Sequence, residues 1–167
     1  MFFKKKCPIC GTKSPIDATT CASCDSPFEL RQAEGQMAIC DEAIRLNPKD
    51  AVAYFNRGDA YHSLNKMKQA IDNYDEAIRL DPQFANAYHN RGTTYRNLGQ
   101  LERAIEDYNH AIRLNPKDAV VYFNRGSTNK LHGKNGEAED DFKKFITLTD
   151  NPQWVEQARQ QIDELSK

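Results

Sequence analysis

The feature that most constrains this chain is a repeat with a period of 34 residues. Ile44, Ile78 and Ile112 open three related stretches, IRLNPKDAVAYFNRG, IRLDPQFANAYHNRG and IRLNPKDAVVYFNRG. The recurrence divides most of the chain into three units, residues 51–84, 85–118 and 119–152. A fixed period of this length is typical of a helix-turn-helix repeat, whereas a coiled coil or an ordinary helical bundle lacks one.

The pattern within each unit predicts two amphipathic helices. In the second half of the first unit, apolar residues recur at the i, i+3, i+4 spacing of a buried helical stripe: Ala70, Ile71, Tyr74, Ala77 and Ile78. A glycine at the eighth position of every unit lets the two helices approach closely. Proline restricts the residue before it, so we expect Pro82 and Pro116 to end the second helix, with Pro152 doing so two places late.

A half-repeat precedes the first unit, in residues 27–50. It matches the second helix of a unit, and we expect that helix to begin at Ser26, with proline in its first turn and Glu29 completing a capping box. Cys40 stands where Tyr74 stands in the first unit. It is therefore predicted to be a small core residue rather than a reactive thiol.

The third unit departs from the other two. Asn129, His132 and Phe145 replace residues that are Tyr, Leu and Ala in both earlier units. Terminal repeats are often atypical because they face a cap instead of another repeat. Residues 153–167 are predicted to form that capping helix, with its apolar face on Val155, Ala158, Ile162 and Leu165.

Residues 51–152 resemble tetratricopeptide repeats. The resemblance is carried by the period and by constant tyrosine, glycine and alanine positions: Tyr54, Tyr88 and Tyr122; Gly58, Gly92 and Gly126; Ala70, Ala104 and Ala138. It implies an all-α helix-turn-helix solenoid whose first helices line a concave groove. It also implies a noncatalytic scaffold that binds a segment of a protein partner in that groove.

The family's groove positions supply the candidate binding residues. These are Phe55, Asn56, Asp59, His62, His89, Asn90, Thr93, Asn97, Phe123, Asn124 and Ser127. The sixth position is Asn in every unit, and a carboxamide both donates and accepts, so it can hold a peptide backbone whatever the peptide's sequence. The alternative is that these asparagines are solvated or bond between helices.

One known role of the family does not fit. Its clamps for a C-terminal carboxylate use lysines, asparagines and an arginine at five places. Only Asn90 matches; the other four places hold Phe55, Asp59, Val120 and Asn124. The arginines at the seventh position are expected to pair with acids of neighbouring helices rather than with a ligand: Arg57, Arg91 and Arg125.

The N-terminal residues 1–26 carry a metal-like cysteine pattern. Cys7 with Cys10 and Cys21 with Cys24 form two C-x-x-C pairs, which can hold one Zn²⁺ through four thiolates. The segment resembles a short zinc ribbon, with a small hairpin between the pairs. Because so few residues cannot bury a core, zinc binding worth on the order of 10 kcal/mol would stabilise the fold. Two disulfides or redox chemistry are the alternatives.

Composition narrows the function classes. The chain is 39% hydrophobic, with a net charge of −1, and it has neither a signal-peptide pattern nor an apolar run long enough to span a membrane. The cysteine usage favours a reducing compartment, so we expect a cytoplasmic protein. The histidines fall at unrelated repeat positions, and we therefore expect no enzyme. The alternative function is nucleic-acid association through lysines near the ribbon, which would be weak and nonspecific.

Overall fold

The computed structural model describes residues 4–6, 13–15 and 28–166. Its elements are β1 (Lys4–Lys6), β2 (Lys13–Pro15), α1 (Phe28–Leu46), α2 (Ala51–Ser63), α3 (Met67–Leu80), α4 (Ala85–Asn97), α5 (Leu101–Leu114), α6 (Ala119–Leu131), α7 (Asn135–Leu148) and α8 (Pro152–Leu165). The chain divides into two compact units, Met1–Leu80 and Asp81–Lys167. Apart from the two short strands, the described elements are helical, as expected for an all-α repeat fold.

In the first compact unit, α2 packs against both α1 and α3. In the second, α4 and α5 form one helical hairpin, α6 and α7 form another, and α8 packs on α7. The strands β1 and β2 are antiparallel, with Lys6 opposite Lys13. They therefore lie on either side of the first cysteine pair in sequence, whereas the predicted hairpin lay between the two pairs. The predicted capping residues Ser26 and Pro27 lie outside the described residues.

Local sequence signals account for the helix boundaries. Asp50 and Asp118 cap α2 and α6, since each carboxylate accepts a hydrogen bond from a backbone N–H of the first turn. The turns inside the three hairpins use a left-handed residue, with φ of 57° at Asn65, 73° at Gly99 and 77° at Gly133. Glycine and asparagine adopt this conformation most readily.

The glycines at the eighth position allow close helix packing, as predicted. A Cβ at Gly58 would lie 2.6 Å from the Tyr74 ring, and one at Gly126 would lie 3.1 Å from Cβ of Asp141. Both distances are tighter than ordinary van der Waals contact. The second helix of each hairpin can therefore press directly against the backbone of the first.

The core of each hairpin is formed mainly by its second helix. In the second helices, the following core residues are at most 3% exposed: Ala70, Tyr74 and Ala77; Ala104, Tyr108 and Ala111; Ala138, Phe142 and Phe145. Cys40 is equally buried on α1, which confirms its predicted place in the core. Burial raises the pKa of the Cys40 thiol and so disfavours its reactive thiolate form.

The end of the third repeat corrects one prediction. Helix α7 ends at Leu148 without any proline, at the extended backbone of Thr149. Pro152 instead begins α8, where Asn151 caps the helix by accepting from the N–H groups of Gln153 and Trp154. The proline was wrongly assigned as a stop because it opens a helix as readily as it follows one. Within residues 28–166, no helix is long and apolar enough to cross a membrane.

Candidate peptide-binding surface

The seventh-position arginines are structural, as predicted. In the first compact unit, Arg57 donates from Nε to Oδ1 of Asn73 at 2.7 Å and from Nη1 to Oδ1 of Asp41 at 2.6 Å. One guanidinium thus joins α2 to both α3 and α1. These contacts engage the arginine within the fold, so it is not assigned to ligand binding.

The second compact unit repeats the arrangement with two carboxylates. Arg91 holds Asp107 through two bonds of 2.8 and 2.6 Å. Arg125 holds Asp141 at 2.5 Å through Nη2 and reaches Oδ1 of Asn109 at 2.6 Å through Nη1. The carboxylate side chains are only 5% and 4% exposed. Buried, paired charges of this kind fix the register between neighbouring helices.

The opposite side of α4 and α6 carries the candidate binding residues of this unit. We call the second, fifth, sixth, ninth, twelfth and thirteenth positions of these helices the groove row. Its members are Asn86, His89, Asn90, Thr93, Arg96 and Asn97 on α4, and Val120, Phe123, Asn124, Ser127, Lys130 and Leu131 on α6. They are half-buried or exposed, and the two helices pack against each other.

Two predicted binding residues bond to each other. Nδ2 of Asn124 lies 2.7 Å from Nε2 of His89. With this orientation the amide donates and the ring nitrogen accepts, which requires an uncharged imidazole. The sixth-position asparagine of the third repeat therefore has an inter-helix role, the alternative raised by the sequence, while its amide oxygen keeps acceptor capacity.

Burial of His89 lowers the pKa of its imidazole below the ordinary value of 6.5, and the nearby Arg96 acts in the same direction, against the carboxylate of Asp118. A lowered folded-state pKa means that the unfolded chain binds a proton first as the pH falls. The contribution of His89 to stability is therefore complete above pH 6.5 and is lost progressively below it.

We expect a His89→Gln variant to lose this pH dependence. Between pH 7.5 and 5.5, the free energy of unfolding of the wild type should fall more steeply than that of the variant, because glutamine does not titrate. Urea denaturation followed by circular dichroism at several pH values measures both curves. The carboxylates contribute equally to the two proteins, so parallel curves would contradict the assignment.

Hydroxyl groups of the core reach the groove side in the first two repeats. The Tyr74 hydroxyl donates to Oδ1 of Asp59 at 2.7 Å, and the Tyr108 hydroxyl lies 3.1 Å from Oγ1 of Thr93. Phe142 replaces this tyrosine in the third repeat, and Ser127 bonds back to its own helix. The predicted groove residues at the ninth position are thus tied to the core in two repeats, but the groove floor of the third is apolar.

An aromatic cluster occupies that floor. The Phe123 ring centroid lies 5.4 Å from that of Phe142 and 5.1 Å from that of Phe145, which in turn lies 6.4 Å from Trp154. Beside it opens a cavity of about 120 Å³, lined by Val120, Phe123, Phe145, Trp154 and Gln157. Of these, only Phe123 was among the predicted site residues, although Phe145 had stood out as a departure from the repeat.

The remaining candidates also lie at the surface or near it. Phe55 packs 6.0 Å from Tyr74 in the first compact unit, where Asn56 and His62 are half-buried. In the second unit, Asn90 is half-buried and Asn97 is exposed. The metal candidates Cys7, Cys10, Cys21 and Cys24 lie outside the described residues. In the part of the chain that is described, no group of His, Cys, Asp and Glu side chains is placed to hold a metal ion.

Comparisons with known proteins agree with the helical geometry. Family models described as TPR repeat and tetratricopeptide repeat match residues 39–72, 58–99, 85–118 and 107–140. No curated protein matches the chain.

Solved structures with the same fold include three relatives. The crystal structure of MamA is 21% identical, with a TM-score of 0.74, covering 81% of this chain and 77% of that one. The first TPR of Spaghetti (RPAP3), bound to the HSP90 peptide SRMEEVD, is 26% identical, with a TM-score of 0.65 and coverage of 70% and 94%. The Arabidopsis OM64 TPR domain is 23% identical, with a TM-score of 0.65 and coverage of 68% and 94%.

Proposed function

Because this chain is a tetratricopeptide repeat protein over residues 39–140, we propose that it is a noncatalytic scaffold that binds a peptide segment of a protein partner. The binding surface is the groove row of α4 and α6. The same role is assigned, within the first compact unit, to the candidates on α2: Phe55, Asn56, Asp59 and His62.

The observation that carries the proposal is the composition of the groove row beside an open apolar cavity. Asn90 and Asn124 present carboxamides, and the neighbouring Phe123 lines a cavity of about 120 Å³. A few polar groups that fix a backbone, next to an apolar pocket that takes a side chain, are the usual elements of a ligand site. A merely solvated helix face would have no use for such a pocket.

One solved relative supports peptide binding as the kind of function, but it does not identify the ligand of this chain. The first TPR of Spaghetti is described in complex with an HSP90 peptide. In this chain, four of the five clamp places hold Phe55, Asp59, Val120 and Asn124, none of them a lysine or arginine. We therefore propose an internal segment of a partner as the ligand, recognised without a free C-terminal carboxylate.

The test is calorimetric titration of a partner recovered by pull-down. Replacing Asn56, Asn90 and Asn124 together by alanine should weaken binding at least about tenfold. A backbone group of the bound peptide that loses its carboxamide partner in the interface costs about 1–3 kcal/mol. Phe55→Ala with Phe123→Ala should weaken it as much, because aromatic anchors dominate such interfaces. Gln160→Ala, which removes an exposed amide of α8 away from the groove row, is the control.

Circular dichroism must show the helical fold intact in every variant. Affinity that stays at the wild-type value in both groove variants would place the binding surface elsewhere, and the groove assignment would then be abandoned.

For the N-terminal segment, we propose a structural Zn²⁺ held by Cys7, Cys10, Cys21 and Cys24. Four thiolates are a closed, tetrahedral donor set that suits zinc. The strands β1 and β2 flank the first pair, are three residues long, and have lysines at the opposed positions Lys6 and Lys13. So short a hairpin needs a stabilising partner, and a metal bound next to it would provide one.

Zinc coordination by four thiolates also has a consequence for the cellular compartment in which the protein works. Four cysteines persist as metal ligands only where they are not oxidised to disulfides. We therefore propose that the scaffold works in the reducing environment of the cytoplasm.

A further inference from the structure

The cavity in the second compact unit is built by departures from the repeat. At the twenty-seventh position of the third repeat, Phe145 replaces the alanines Ala77 and Ala111. At the twenty-fourth position, Phe142 lacks the hydroxyl that ties Tyr108 to Thr93 in the preceding repeat. The first change adds an aromatic ring to the floor, where it also packs with Ala158 of α8, and the second removes a hydroxyl, so the floor of the third repeat is more aromatic and less polar than that of the second.

Helix α8 supplies the remaining two residues that line the cavity, Trp154 and Gln157. Its Trp154 and Gln157 follow Val120 and Phe123 by one repeat length, and its Glu164 likewise follows Lys130, with which it forms a 2.5 Å ion pair. The cap thus stands as the first helix of a fourth repeat and extends the groove row. Trp154 is 47% exposed and Val120 is 44% exposed, so the mouth of the cavity is open to a ligand.

The charges around this surface favour an acidic partner. Of the cationic groove-row residues, Lys130 is neutralised by Glu164 and also donates to Gln161. Arg96 lies close enough to His89 and Tyr108 to influence their titration, yet no carboxylate among the described residues forms an ion pair with it. The groove row therefore carries one guanidinium available to a ligand and no carboxylate of its own on α4 or α6.

Resting on the function proposed above, we infer that this surface binds an extended segment with one bulky apolar side chain, seated in the cavity, and one acidic side chain, paired with Arg96. Arg96 lies two turns beyond His89, roughly 10 Å along α4, and the cavity is about one and a half helix spacings away, roughly 14 Å. The two subsites are thus about 17 Å apart, which an extended chain spans in about five residues.

Trp154 is the only tryptophan of the chain and lines the cavity, so its fluorescence reports occupancy directly. The probe is a peptide with blocked ends that places Glu and Leu five positions apart, ESNSSLS, together with its reverse, SLSSNSE. We expect one of the two to shift the Trp154 emission saturably. Replacing Leu by Ser in that peptide should abolish the shift, and replacing Glu by Gln should weaken binding several-fold and remove its salt dependence.

Variants of the full chain locate the site. Val120→Lys places an extended cation at the exposed mouth of the cavity and should weaken binding at least about tenfold, since a filled apolar pocket dominates such contacts. Ile39→Lys, which also replaces an exposed apolar side chain (66% exposed) but on α1, outside the candidate binding positions, is the matched control and should bind as the wild type does. Arg96→Gln should reproduce the effect of removing Glu from the peptide.

No saturable change in Trp154 emission with either peptide, or equal affinity of Val120→Lys and wild type, would overturn this inference. Its failure is distinguishable from that of the proposed function. If a captured partner is weakened by Asn124→Ala but not by Val120→Lys, the groove binds peptides and only the cavity assignment falls. If neither substitution matters to the captured partner, both fall.

Discussion

Replacing Asp141 with alanine should lower the free energy of unfolding by about 3 kcal/mol, because removal of one partner from a buried ion pair leaves the other unsatisfied. The Asp141 side chain is 4% exposed. It accepts hydrogen bonds from Arg125, at 2.5 and 2.9 Å, and from the buried amide of Asn129, at 3.1 Å. Arg125 would keep its bond to Asn109, its cation–π contact with the Tyr122 ring at 5.7 Å and its partial contact with water, so we expect a value near the lower end for such pairs.

Two matched variants isolate the cause. Asp141→Asn should cost about 1 kcal/mol, the worth of an ordinary hydrogen bond, because the first repeat has Asn73 at this position and Arg57 bonds to it at 2.7 Å. Asp140→Ala removes an exposed carboxylate from the same turn and should change little. Urea denaturation followed by circular dichroism gives all three values, and equal losses for Asp140→Ala and Asp141→Ala would refute the buried-pair account.

The backbone of the repeats was predictable from the sequence because it depends on local periodicity. The 34-residue recurrence, the glycines at the eighth position and the buried stripe of each second helix all follow from spacing that a single chain displays. The family models that match residues 39–140 confirm the tetratricopeptide repeats. Arg125 and Cys40 could also be placed, because a repeat maps each residue onto an equivalent in its neighbour.

The side-chain pairings of the groove row were not predictable in the same way. His89 and Asn124 lie 35 positions apart and at different repeat positions, so no periodic signal joins them, although the structure brings them within 2.7 Å. The cavity combines residues of α6, α7 and α8. Its formation depends on how Phe145 and Trp154 fill space next to Phe123, which repeat alignment records only as departures.

On α6, one face bonds to neighbouring helices and the opposite face carries candidate binding residues. On α6, Arg125 at the seventh position bonds to Asp141 and Asn109, whereas Phe123 and Asn124 at the fifth and sixth positions belong to the groove row. Substitution of Arg125 should therefore change the stability of the fold and have little direct effect on ligand binding. Phe123 also packs on the buried Phe142 and Phe145 rings, and Asn124 bonds to His89, so the helical content of each binding variant has to be checked by circular dichroism.

Purified protein should carry one zinc ion per chain, and loss of the ion should unfold the N-terminal segment while leaving the repeats helical. The reason is energetic: strands as short as Lys4–Lys6 and Lys13–Pro15 contribute little on their own, whereas structural zinc binding is worth on the order of 10 kcal/mol at neutral pH. The repeats have a buried core of their own, so their stability should not depend on the metal.

Elemental analysis of reduced protein, purified without chelators, measures the metal content of the wild type and of the Cys7→Ser, Cys24→Ser double variant. The variant should lose the ion, whereas Cys40→Ala, which removes the buried cysteine of the core, should retain it. Cysteine thiols must lose their protons to bind zinc as thiolates, so the ion should also dissociate as the pH falls. Less than about half an equivalent of zinc in the reduced wild-type protein would refute the ribbon, and protein purified without a reductant that shows no free thiols at the four ribbon cysteines would indicate disulfides instead.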